Sequence, residues 1–117
     1  MTIISLEYHD VVPEGNWESS GFPGPAGASY KLASNRFADH LDALASSGQP
    51  VGATVQGALD AGADNVLLTF DDGGQSGVVV GAMLSERGWR AHIFMVSDLI
   101  GTHGFLNRDQ LRGLHAD

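Results

Sequence analysis

The sequence predicts an α/β fold of parallel strands joined by crossover helices. Three apolar, β-branched runs of strand length predict it, at Ile3 to Tyr8, Val66 to Phe70 and Arg90 to Val96. Segments with helical apolar spacing lie between and after them, and glycines close most of these segments. Strand, helix, strand, helix with short connections implies a parallel sheet with right-handed crossovers. At 117 residues the chain is at most one domain. Its 43% hydrophobic content is too high for disorder, and 16 glycines, about twice the usual share, indicate a loop-rich scaffold.

The elements follow in order. Ile3 to Tyr8 is the first core strand. Asp10 to Ser29 reads as one long loop, punctuated by Pro13, Gly15, Gly21, Pro23, Gly24, Pro25 and Gly27, with Trp17 and Phe22 as apolar anchors. Ser34 is placed to cap a helix whose inner face is Phe37, Leu41, Leu44 and Ala45, and Gly48 and Pro50 stop it. A shorter helix spans Thr54 to Ala61 and ends at Gly62. Val66 to Phe70 is the second strand. Ser76 is placed to cap a helix through about Arg87, with Val79, Val80, Met83 and Leu84 inward and Gly88 at its end. The third strand, Arg90 to Val96, alternates Ala91, Ile93 and Met95 against His92, Phe94 and Val96. Asn107 and Gln110 form a capping box for a last helix with Leu111 and Leu114 on its apolar face.

Charge and composition exclude several functions. Six basic and fourteen acidic residues give a formal net charge of -8, with no basic run, so neither nucleic acid nor an anionic membrane surface is expected as a partner. No apolar run reaches the ~18 residues of a membrane span. There are no cysteines, hence no disulfides and no thiolate metal sites. The N-terminus, Met1 to Leu6, has no basic region and no small-residue cleavage site, which points to a cytoplasmic chain or to the mature part of an exported or envelope-associated parent.

The chemistry concentrates at Leu67-Leu68-Thr69-Phe70-Asp71-Asp72-Gly73-Gly74, a buried strand running into two carboxylates and two glycines. Adjacent carboxylates repel, so such a tip is either a solvated Asp-Gly turn or a place where a cation takes up the charge. With a cation, one acid ligates and its neighbour stays free as a base. The glycines permit a sharp turn and close approach of a substrate to the backbone. Tyr8-His9-Asp10 ends the first strand, and ligand sites in parallel α/β folds lie at the carboxyl ends of strands, so both polar clusters share one rim. His9 there either approaches Asp71 and supports its ionised form or caps a turn; its expected role is behind the ligands rather than among them. His40 reads as surface, His92 as a satisfied core or rim residue and His103 as solvated, and His115, in His115-Ala116-Asp117, is not expected to be a ligand.

Thr69-Phe70-Asp71-Asp72-Gly73 resembles the first motif of the polysaccharide deacetylases, the NodB homology domain of carbohydrate esterase family 4. Tyr8 to Pro13, Ser20 to Pro25, Gly88 to Phe94 and Ile100 to Leu106 are similar, in collinear order, to the exopolysaccharide-associated bacterial subgroup. The resemblance implies a distorted (β/α) barrel, of which this length supplies about the N-terminal half, since a whole barrel takes ~200 residues or more. It implies metal-dependent removal of N-acetyl groups from a polysaccharide, with Asp71 as general base, Asp72 as ligand to a divalent metal, zinc by preference, and the Gly73-Gly74 turn at the oxyanion. The family draws two further ligands from a His-[Ser/Thr]-x-x-[His/Asp] motif that this sequence lacks, along with a later His acid. The expectation is therefore a partial domain, residues 1–117, ending before that motif and inactive by itself. The rival expectation is a non-catalytic α/β fragment completed by a partner chain or a second copy.

Overall fold

The computed structural model describes residues 1–116. Its elements are β1 (Ile3–Tyr8), β2 (Asp10–Val12), α1 (Gly24–Ala28), β3 (Lys31–Ala33), α2 (Ser34–Ser46), α3 (Val55–Ala61), β4 (Asn65–Asp72), α4 (Gly77–Ser85), β5 (His92–Met95), a 3-10 turn at Ser97–Leu99, and α5 (Arg108–Ala116). The main sheet has the order β1-β4-β5 and is parallel throughout, as expected from alternating strands and helices. β4 is central. Its Val66, Leu67 and Leu68 are all buried, the continuous apolar run typical of a strand covered on both faces.

The register sorts side chains into two faces. Leu6 pairs with Leu68, Tyr8 with Phe70, and Phe70 with Ile93, so these share one face. That face carries the core, in which Phe37 and Leu41 of α2 and Val80 and Leu84 of α4 pack on Leu68 and Phe70. Tyr8 stacks on Phe70 at 5.4 Å between centroids and meets Phe37 edge-on at 5.1 Å. Glu7, Thr69, Asp71, His92 and Phe94 occupy the opposite face by the same pleat.

Several boundaries differ from expectation, each for a local reason. The loop from Asp10 to Ser29 contains β2 and α1, and β2 pairs in parallel with β3. Both strands are three residues long, too short for a period to register. Ser34 is inside α2, because Ala33 ends β3 and takes the cap position without a side-chain bond. Of the inner face assigned to α2, Phe37 and Leu41 are fully buried and Leu44 partly, but Ala45 is exposed. α4 ends at Ser85 rather than Arg87, and Val79 faces solvent, because the buried pair is Val80 and Leu84, four residues apart. β4 extends to Asp72, so both acids belong to the strand, while β5 is confined to His92–Met95.

Two helix ends match their signals closely. Thr54 accepts the Gly57 N–H at 3.0 Å, and Gly62 ends α3 at φ 62. Asn107 and Gln110 exchange reciprocal bonds, each 2.9 Å, at the start of α5.

Candidate active site

Parallel pairing of β1 and β4 brings their carboxyl ends to one edge, and the pair Tyr8 and Phe70 closes the ladder there. The residues that follow, His9 and Asp71, therefore become neighbours. His9 Nε2 lies 3.9 Å from Asp72 Oδ2 and 3.8 Å from Glu7 Oε1, near enough for electrostatic attraction and beyond hydrogen-bond length. Ligand atoms of Glu7, His9 and Asp71 all lie within 4.8 Å of one another. Carboxylates with an imidazole form a donor set suited to a divalent cation of the zinc type.

The structure thus brings His9 to both acids. The tight three-residue group runs through Asp71, whereas the motif resemblance gives the ligand role to Asp72. Glu7 was missed in the sequence. Its signal was present but weak: it sits two residues before His9, so on a strand it points to the same side as Asp71 of the next strand.

The backbone beyond the acids is tightly specified. Asp72 has φ 75 and is the one non-glycine residue with positive φ among the described residues; Gly73 follows at φ 74. A Cβ on Gly73 would lie 1.9 Å from Met95 Sδ, the mobile end of that side chain, and it is the φ of 74 that favours glycine there. Gly73 O accepts the Leu106 N–H at 3.0 Å, Gly104 O accepts the Gln75 N–H at 2.8 Å, and Gly74 bridges to Phe105. The 101–106 segment thus braces the turn.

Beneath it lies a polar knot that sequence reasoning did not find. Asp10 is 4% exposed, and its Oδ1 accepts from Ser20 Oγ at 2.7 Å and Ser76 Oγ at 3.0 Å. Ser20 Oγ accepts the Ser76 N–H at 2.7 Å, and Ser76 Oγ accepts the Val11 N–H at 3.2 Å. Ser76 is helical at φ -56 and makes no side-chain cap, since its hydroxyl is engaged here.

The remaining histidines stay away from the acids. His40 and His103 are exposed, and so is His115. His40 Nδ1 shares a hydrogen bond of 3.2 Å with the Tyr8 hydroxyl, whose pKa burial raises above the ordinary value, keeping the phenol neutral. His92 is a correction. Its Nε2 accepts the Val55 N–H at 3.4 Å, but its buried Nδ1 has no partner among the described residues. A cavity of about 320 Å³ between α4, β5 and α5, lined by Leu84, Trp89, Ile93 and Leu114, includes none of the acids. No helix among the described residues is long and apolar enough to cross a membrane.

No family model matches the sequence, and no curated protein matches it. Solved structures do. A de-N-acetylase from Aggregatibacter actinomycetemcomitans superposes with TM-score 0.77 at 21% identity, over 97% of this chain and 50% of that one. IcaB from Ammonifex degensii gives 0.74 at 26% identity, over 97% and 48%. BA0330 from Bacillus anthracis gives 0.75 at 15% identity, over 99% and 36%. The chain spans about half the length of the first two. It has the fold of the polysaccharide deacetylases over a part of their extent, as the resemblance of its motifs implies.

Proposed function

We propose that this chain carries the acid-bearing part of a metal-dependent polysaccharide N-deacetylase site. The observation that carries the reading is the rim where Asp71, Asp72 and His9 converge, in a fold shared with de-N-acetylases. Asp72 is the proposed ligand to a divalent metal, zinc by preference, with His9 close enough to orient it and Glu7 in turn close to His9. Such an ion supplies Lewis acidity, lowering the pKa of water from that of the bulk liquid toward ~7. Asp71, one residue away and partly exposed, takes the proton of the attacking water as that water adds to the acetyl carbonyl. The backbone turn at Gly73 and Gly74 is the proposed support for the oxyanion, where glycine leaves room for the substrate. The acid that protonates the leaving amine is not assigned to any residue of this chain.

A second reading, a non-catalytic fragment that needs a completing chain or a second copy, is favoured by the coverage of about half of the neighbours and by the missing His-[Ser/Thr]-x-x-His motif. Acetate release from an N-acetylated chitooligosaccharide separates the two. The expected result is no release by this chain alone and release once it is fused to a segment supplying that motif and the later acid, with loss in Asp71→Asn of the fusion. Release by this chain alone would overturn the incomplete-site reading. Full activity of the Asp71→Asn fusion would overturn the assignment of the base.

A further inference from the structure

We propose that Asp10 is the positioning residue for the acid pair: its buried carboxylate holds the Gly73-Gly74 turn and, through it, the positive φ of Asp72. The inference rests on the deacetylase reading for its functional meaning and on geometry alone for its structural content.

Asp10 is the only buried carboxylate among the described residues, and no Lys or Arg pairs with it there. A carboxylate taken from water needs donors, and Asp10 has two hydroxyls. Those donors come from different parts of the chain. Ser20 belongs to the loop before α1, and Ser76 opens α4 directly after the turn. The carboxylate also lies against both backbones. A Cβ on Gly74 would sit 2.0 Å from Asp10 Oδ1, and one on Gly21 would sit 1.9 Å from Oδ2. Gly21 N–H in turn donates to Gly104 O, the same carbonyl that accepts from Gln75. Asp10 thus sits where the loop, the turn and the 101–106 segment meet.

Asp72 is two residues from Gly74 and is the residue whose backbone needs an external constraint. A non-glycine residue at φ 75 persists only where its surroundings over-determine it. On one side Met95 and Leu106 fix Gly73; on the other, the Asp10 knot fixes Gly74 and Ser76. Removing the carboxylate strands two buried hydroxyls and frees the turn. The side chain of Asp72 would then leave the His9 edge of the rim, although Asp10 itself touches neither the metal site nor a substrate.

NMR of the isotopically labelled chain tests this without any turnover. The one-bond Cα–Hα coupling and the HN–Hα coupling together report the sign of φ at Asp72, and the amide shifts of Leu68 and Val80 report the core. In Asp10→Ala the expected result is loss of the positive-φ signature at Asp72 with a native core, and about tenfold faster amide exchange at Gln75 and Leu106, the equivalent of one lost hydrogen bond. Asp10→Asn keeps an acceptor oxygen for Ser20 and Ser76 and is expected to restore the signature. If Asp10→Ala does not fold, the double variant Ser20→Ala/Ser76→Ala carries the same expectation. An unchanged Asp72 signature in a folded Asp10→Ala or double variant overturns the proposal. So does an Asp10→Asn chain no better than Asp10→Ala, whether folded or unfolded. Either failure leaves the deacetylase reading intact, because no activity enters the measurement.

Discussion

Asp72 combines an unfavourable backbone with a charged side chain at the edge of a sheet. Positive φ costs a non-glycine residue on the order of 1–3 kcal/mol when the residue is bulky, and less for Asp, which visits this region more readily than most. The conformation turns the chain out of β4 within one residue, so that Gly73 can pass against Met95. The choice of Asp over glycine here is a choice of chemistry over ease of folding. Asp72→Gly is therefore expected to leave the urea midpoint close to that of the parent while removing the rim carboxylate. Asp72→Val, β-branched at φ 75, is expected to lose about 1–3 kcal/mol. Equal midpoints for the two variants would show that the backbone at Asp72 relaxes freely and that no constraint is stored there.

At the scale of elements, β5 is the exposed flank. It pairs with β4 on one side only, and its Phe94 is 58% exposed on the face that carries Asp71. An unpaired edge with an apolar side chain templates association. Sedimentation velocity across a concentration series should show self-association, and Phe94→Lys should reduce it, since edge lysines oppose strand pairing. A monomer at all concentrations would show that the sheet is self-sufficient. The same elements show what could be read in advance. β1, α3 and the cap of α5 were legible because local chemistry decides them: an apolar run, Thr54 with Gly62, and Asn107 with Gln110. β2 and β3 were not, because each is held by the other across 21 residues and neither carries a pattern of its own. Ser76 misled for a related reason, because a hydroxyl before a helix reads as a cap unless a distant buried acid claims it. Asp71, Asp72 and His9 were legible as a rim from strand ends alone. Glu7 and Asp10 needed the register and the packing.

The radius of gyration of the whole molecule is 14.2 Å, with extents of 40 × 27 × 23 Å, close to the ~13.4 Å of a compact chain of this size. Helices α2 and α4 cover one face of the sheet, while Glu7, Asp71 and Phe94 lie on the other. That arrangement presents the acids and His9 at an open rim, with carboxylates and one imidazole as the donors. With Asp72 as the assigned ligand, a single carboxylate is a poor zinc site compared with one that has three well-placed ligands. Calorimetric zinc titration of the 117-residue chain, with Asp72→Ala and Asp71→Asn beside it, tests the central claim most directly. The account predicts weak one-to-one binding to the parent chain, retained in Asp71→Asn and abolished in Asp72→Ala. Binding that survives Asp72→Ala and disappears in Asp71→Asn would contradict it, and would move the metal to the Glu7, His9 and Asp71 group.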